Sequence, residues 1–205
     1  MPNWVLNKVS LQGSEKQLQK FNEFVKSKES NFDFNNIIPI PEAELQIAQG
    51  FLVKYNNNPI REFIDDNFDS AVYMYTLERN PNASETFCKA VLRLVKQYIN
   101  QDFSAFSMEG LWIRKHWGTK WEASTAEYVD DTLYIFKTAW STPVPIYEAL
   151  GKRFPEIDIK VEFADEDIGS NCGIITIRGT SITYKNLEIS KKGQRFATDL
   201  WGWDD

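Results

Sequence analysis

The chain has 205 residues, of which 42% are hydrophobic, 14% aromatic and 25% charged, and its formal net charge is −6. This composition excludes collagenous and disordered chains and indicates a folded domain of ordinary size. Two cysteines and one histidine are too few for an iron–sulfur cluster, a disulfide framework or a site with several histidine ligands. We therefore expect no cofactor.

The N-terminus and the distribution of apolar residues predict the cellular location. Residues 1–8 lack the basic region and apolar core of a signal peptide, and no apolar run approaches the ~20 residues of a membrane helix. We expect a cytoplasmic protein without a membrane span, in which Cys88 and Cys172 are reduced. The acidic net charge argues against a general binder of the phosphate backbone.

The first forty residues predict a strand, a helix and an extended segment. Apolar residues from Val5 to Leu11 alternate with others, which is typical of a strand with one buried face. Ser14 and Gln17 form a capping box that predicts the start of an amphipathic helix. Residues 32–41 are expected to be extended, and their two prolines exclude a central strand.

Residues 42–110 predict a helical insertion within a single domain that spans residues 1–205. Pro59 follows three asparagines and favours the start of a helix. A second helix is expected at residues 71–78, and Ser84 is expected to cap a third. The remaining segment, residues 185–205, is interpreted as a C-terminal tail whose Trp201 and Trp203 are able to dock on one surface.

The strand period returns after the insertion. Trp117, Thr119 and Trp121 share one parity, which predicts a strand with both indoles facing the core. Further strands are predicted at 132–139, 157–163 and 173–178, with a helix from Ile146 to Phe154 that Pro155 stops. Without the insertion, the order is strand, helix, strand, strand, helix, strand, followed by one extending strand. This order predicts an α+β, ferredoxin-like two-layer sandwich: an antiparallel sheet with two helices on one face.

Several strings resemble a known family. They are Pro2-Asn3-Trp4 with Asn7 and Gly13, Ile38-Pro39 with Pro41, Trp117-Gly118-Thr119-Lys120-Trp121, Thr138-Ala139-Trp140-Ser141 with Pro143, Phe154-Pro155, and Glu166-Asp167-Ile168-Gly169 ending at Gly173. Over residues 1–178 the chain resembles the YubB ferredoxin-like domain family of Api-like proteins. It departs from that pattern at Val5 and His116.

The resemblance implies a ferredoxin-like fold and an origin in a mobile genetic element, such as a phage, plasmid or prophage. The family has no established biochemical role, so no catalytic residue transfers from it.

The candidate binding residues form a basic and aromatic group and an acidic group. The first comprises Arg114, Lys115, His116, Trp117, Lys120, Trp121 and Trp140, and the second Asp165, Glu166 and Asp167. Basic residues interleaved with aromatics suit base stacking and phosphate contact, but the favoured interpretation places Trp117 and Trp121 in the core.

The acidic group is interpreted as a turn rather than a cation site, because the calcium-loop pattern fails at its sixth and twelfth positions. We expect no metal. His116 is interpreted as a hydrogen-bonding residue rather than a general acid or base. Asn7 lies on the buried parity of the first strand, so we expect a structural role in which its side chain is fully hydrogen-bonded.

The sequence contains no motif for a nucleotide, a metal or a nucleophile, but 29 aromatic residues. Surplus Trp and Tyr on a small domain is typical of protein interfaces. The sequence thus predicts a non-enzymatic interaction protein that binds a protein partner through the open sheet face or a groove between the insertion and residues 117–121. The alternative is a module that binds single-stranded nucleic acid, and an enzyme ranks third.

Overall fold

The computed structural model describes residues 3–56, 67–101 and 107–203. The chain forms two compact units: Met1–Pro39 with Ile113–Asp205, and Ile40–Trp112. The described strands are β1 (Trp4–Gln12), β2 (Ser124–Asp130), β3 (Leu133–Ala139), β4 (Asp158–Asp165), β5 (Gly173–Arg178) and β6 (Ser181–Asn186). The described helices are α1 (Glu15–Val25), α2 (Phe34–Ile37), α3 (Glu42–Asn56), α4 (Phe68–Arg79), α5 (Glu85–Tyr98), α6 (Met108–His116), α7 (Val144–Arg153) and α8 (Lys191–Trp201).

The first unit contains a six-stranded antiparallel sheet in the order β2-β3-β1-β4-β5-β6. Its first four strands have the ferredoxin-like order, in which β1 lies between β3 and β4. α1 and α7 cover one face, and β5 and β6 extend the sheet beyond β4. The predicted α+β, ferredoxin-like fold is confirmed.

Aromatic side chains fill the space between this face and its helices. Phe21 of α1 lies 6.4 Å from Tyr134 and 5.2 Å from Phe154 between ring centroids, and Phe32 lies 4.8 Å from Phe136. The predicted capping box is present, because Gln17 Oε1 accepts a hydrogen bond of 2.7 Å from the Ser14 backbone N–H. The apolar positions that define the predicted α1 are those that the core buries.

The predicted strand at 117–122 is wrong. The Trp117 N–H donates to Ile113 O and ends α6, and Gly118 has a left-handed φ of 78° beside Pro145. The second strand of the sheet is β2, an edge strand whose side chains are mostly exposed. An exposed edge strand carries little hydrophobic alternation, so the sequence of β2 does not predict a strand. The alternation of residues 117–121 therefore predicted the second strand instead.

Two other segments differ from prediction. Residues 34–37, expected to be extended, form the one-turn helix α2, which Asp33 caps by accepting from the Asn35 and Asn36 N–H groups. The segment interpreted as a C-terminal tail contains α8 and the end of β6.

α8 packs on β4 and β5 on the face opposite α7. Its Ala197, Leu200 and Trp201 meet Ala164 and Ile174 there. The face expected to be open is therefore partly covered.

The second unit is helical in its described part, where α5 packs on α3 and α4. Ser84 caps α5 by accepting from the Phe87 N–H, and α4 contains the predicted helix at 71–78. The helix start predicted at Pro59 lies outside the described residues. Across the described chain, the helices are too short or too polar to span a bilayer.

Candidate functional site

Two predicted groups of site residues meet at one edge of the sheet, where β1 begins and β3 and β4 end. The Trp140 N–H donates to Asn3 O at 2.9 Å, and the Glu166 N–H donates to Trp4 O at 2.9 Å. Asn171 Nδ2 donates to Trp140 O at 3.2 Å. The acidic turn and Trp140 are therefore neighbours across the start of β1.

Asn7 anchors this edge from inside the sheet. Its Nδ2 donates to Val5 O and to Thr138 Oγ1, each at 2.9 Å. Its Oδ1 accepts from Thr142 Oγ1 at 2.6 Å and from Tyr147 OH at 3.0 Å. The side chain is fully buried, and these four bonds use both donors and both acceptor positions. The predicted structural role of Asn7 is confirmed.

The same network fixes the loop after α6. Thr138 Oγ1 donates to Ser141 O, and Ser141 Oγ donates to Gly118 O. Thr119 Oγ1 donates to Ala139 O at 2.8 Å. Hydrogen bonds thus join the segment Trp117–Trp121 to the segment Thr138–Ser141. They fix the backbone positions from which Lys120, Trp121 and Trp140 project.

Trp140 has an unusual backbone conformation. Its φ is 73°, in the left-handed region that bulky residues rarely adopt, and its side chain is 39% exposed. Such a conformation costs about 1–3 kcal/mol and persists only where the surroundings impose it. Here the hydrogen bonds to Asn3 and Asn171 impose it.

Trp140 belongs to an exposed group of indoles and cations. Lys120 Nζ lies 4.4 Å from the Trp140 ring centroid and 4.5 Å from that of Trp121, which is 44% exposed. The ring of Trp121 packs on that of Trp4, with 6.1 Å between the ring centroids. The Arg114 guanidinium lies 5.5 Å from the Trp140 ring centroid. We call these five residues the Trp140 surface.

The other predicted site residues lie beside this surface or beneath it. Trp117 is 3% exposed, and its Nε1 donates to Ile38 O at 2.9 Å. The inward-facing interpretation is therefore confirmed for Trp117 and wrong for Trp121, because the two do not share a strand. Lys115 is exposed, and His116, the last residue of α6, is half-buried.

Asp165 is a buried residue of the acidic turn. Its Oδ1 accepts from the Asp167 N–H at 2.9 Å, so it stabilises the turn as predicted. Glu166 and Asp167 are exposed. Within residues 3–56, 67–101 and 107–203, no three His, Cys, Asp or Glu side chains are grouped as metal ligands.

The sequence analysis did not assign three contributors near this edge to the site: Trp4, Trp201 and Glu122. Trp4 was noted only as part of a family string, although its intermediate burial follows from its parity opposite Val5. Trp201 stacks on Trp203 at 4.9 Å and donates from Nε1 to Ala164 O, with Lys137 Nζ 5.3 Å from its ring. The spacing of the two tryptophans was the signal in the sequence that pointed to this contact. The helix α8, which follows β6 and ends at Trp201, was not recognised.

Glu122, directly after Trp121, was also missed. Its Oε1 accepts from the Phe34 N–H at 2.5 Å, and burial, opposed by this hydrogen bond and helped by Asp33, raises its pKa to about 7. No signal in the sequence distinguishes Glu122 from the other glutamates.

We expect Glu122→Gln to change how stability depends on pH. The folded state keeps the Glu122 proton up to a pKa of about 7, whereas the unfolded chain releases it near 4.5. The wild-type free energy of unfolding, relative to that of the variant, should therefore fall by about 1–2 kcal/mol as pH rises through this interval. This value is smaller than the full pKa difference implies, because the Glu122 side chain is partly exposed to solvent. Urea unfolding from pH 4 to about pH 8 measures it. Glu127→Gln, at an exposed position of β2, is the control, and parallel pH profiles for wild type and Glu122→Gln would contradict the expectation.

Comparisons with known proteins concern the C-terminal part of the chain most directly. No curated protein matches the chain. A crystal structure of a protein api92 from Yersinia pseudotuberculosis aligns with 91% of this chain and 99% of its own, at 9% identity and a TM-score of 0.46. Residues 116–202 match the model of a family described as a ferredoxin-like domain in Api92-like protein. The match does not carry the YubB name, and what it establishes is that this stretch is similar to the ferredoxin-like domain of Api92-like proteins, a family of unknown function.

Proposed function

We propose that this chain is a non-enzymatic interaction protein that binds a protein partner through the Trp140 surface. The observation that carries the proposal is the exposed indole of Trp140 on a left-handed backbone. Glycine or asparagine satisfies such a position without the steric cost. A tryptophan that accepts this backbone cost and still exposes part of its ring is well placed to contact another molecule.

The composition of the surface favours a protein as that molecule. Tryptophan and arginine are the residues most enriched among those that dominate the energy of protein interfaces. Three indoles lie together here, with Lys120 and Arg114 against them and the exposed carboxylates of Glu166 and Asp167 nearby. An apolar centre with charges of both signs around it matches the anatomy of a protein–protein interface.

The test is Trp140→Gly. Glycine relieves the left-handed strain, so the free energy of unfolding should change by less than about 1 kcal/mol. Binding of a partner retained from a host lysate, and then purified, should weaken by about 30-fold or more, because a central indole is lost. Urea unfolding and calorimetric titration measure the two effects.

The matched control is Ile189→Gly. Ile189 is also a large exposed residue with a left-handed φ, 54°, but it lies before α8 and outside the Trp140 surface. This variant should retain the partner fully. Equal retention by the wild type and the Trp140→Gly variant would contradict the proposal, as would loss of binding in both glycine variants.

A single-stranded nucleic acid is the second candidate, because Lys120 and Arg114 lie beside exposed indoles. Backbone neutralisation makes such binding steeply salt-dependent. Filter binding of an oligothymidylate at low salt tests it, and a complex weakened by both Lys120→Ala and Trp121→Ala would favour it.

The strings that resemble the YubB family support the further proposal that the protein comes from a phage, plasmid or prophage.

A further inference from the structure

The Trp140 surface holds a lysine in a restricted position. Lys120 Nζ lies within 4.5 Å of two indole centroids, so its ammonium group is drawn to the electron-rich faces of both rings. Among the ion pairs that the described residues form, none involves Lys120. Among the described residues, its positive charge is therefore balanced by ring electrons and solvent rather than by a carboxylate.

This arrangement prepares the cation for an anionic ligand. A lysine side chain that binds a partner normally loses rotamer entropy, because its four rotatable bonds become fixed. The two indoles have already restricted Lys120, so much of that loss precedes binding. The rings also reduce the access of water, which strengthens an ion pair formed on the outer side of the ammonium group.

The charges around the surface define what kind of anion fits. The chain has a net charge of −6, yet Arg114 and Lys120 place two cations against the indoles at this edge of the sheet. The exposed carboxylates of Glu166 and Asp167, in the turn beside Trp4 and Trp140, limit this positive patch on one side. A nucleic-acid strand needs a longer uninterrupted basic track, because its phosphates repeat at every nucleotide. A few carboxylates separated by an apolar side chain fit the short patch.

Given the protein-binding function proposed above, we infer that the partner presents an acidic segment whose carboxylates meet Lys120 and Arg114 and whose apolar side chain packs on Trp121 and Trp140. Recognition then combines charge complementarity with burial of exposed indole surface. The apolar side chain supplies affinity, and the carboxylates set specificity and the rate of association.

Two synthetic peptides and one oligonucleotide test this inference on the full-length chain. The acidic peptide is acetyl-Glu-Glu-Leu-Glu-Glu-amide, the neutral peptide has glutamine at all four glutamate positions, and the oligonucleotide is an oligothymidylate of similar charge. Indole fluorescence follows binding at low salt. We expect the acidic peptide to bind at least about tenfold more tightly than the neutral peptide and than the oligonucleotide.

Lys120→Gln should weaken binding of the acidic peptide about tenfold, since it removes the held cation but leaves both indoles. Lys16→Gln on α1 changes the net charge equally at an exposed position of another element and should have little effect. Equal binding of the two peptides, including failure of both to bind, would overturn the inference, and so would tighter binding of the oligonucleotide.

The outcome for the proposed function is separate. If Trp140→Gly weakens binding of a purified partner but Lys120→Gln leaves that binding unchanged, the protein-binding function stands. The inference that the partner presents an acidic segment is then wrong. If the partner is retained equally by the Trp140→Gly variant, the proposed function itself fails.

Discussion

Asn7→Leu is expected to lower the free energy of unfolding by about 4 kcal/mol, because it orphans several buried polar groups at once. Leucine has the same branched shape as asparagine, but its two methyl groups leave Thr142 Oγ1, Tyr147 OH and Val5 O without the partner that Asn7 provides. All of these groups lie in the first unit, under α7 and between β1 and β3. Urea unfolding followed by circular dichroism measures the loss.

Tyr147→Phe is the matched control for this prediction. It removes one of the two hydrogen bonds to Asn7 Oδ1 and leaves the bond from Thr142 in place. We expect a loss of about 1 kcal/mol, typical of a single buried hydrogen bond. If Asn7→Leu cost no more than Tyr147→Phe, the network would not be the anchor of this edge of the sheet.

Gly193→Ala is expected to detach α8 from the sheet at a cost of about 3 kcal/mol. A Cβ atom at this position would overlap Leu187 O, a backbone atom that cannot rotate away. The first turn of α8 must then move, and the cluster of Ala164, Cys172 and Ala197 beneath it opens.

The thiol of Cys172 reports this opening, because it is buried under α8 with its Sγ 3.9 Å from Gly193 O. Labelling of Cys172, resolved from Cys88 by peptide mass, should accelerate about 100-fold, which corresponds to about 3 kcal/mol in the opening equilibrium. Gly202→Ala is the control: nothing lies within 4 Å of its added Cβ, and its φ of 65° adds only local strain at the end of α8. Unchanged labelling in the Gly193→Ala variant would show that α8 does not shield this face.

Local patterns predicted elements well where one side of the element is buried. β1, β4, β5, α1 and α5 each place apolar residues at their own period, because each packs one side on a core. The edge strand β2 and the docked α8 were missed for a common reason. β2 buries little of its surface, and the apolar side of α8 meets a sheet face that the sequence indicated would be open.

Nearly all members of the candidate surface were visible in the sequence, but their arrangement was not. Lys120, Trp121 and Trp140 were proposed from composition, and an alternating pattern assigned Trp117 and Trp121 to one side. The turn at Gly118 separates them, so that one indole is buried and the other exposed.

By itself, the sequence determined the fold class of this protein, the positions of most of its described strands and half of its described helices, and the structural role of Asn7. These follow from periodicity and from the requirement that buried polar groups find partners, and both are properties of short stretches of chain. Only the tertiary structure decided that Lys120 lies between two indoles, that Trp140 is left-handed, and that α8 covers part of the second face. Each of these depends on contacts between residues far apart in the chain, which the pattern of any single segment does not encode.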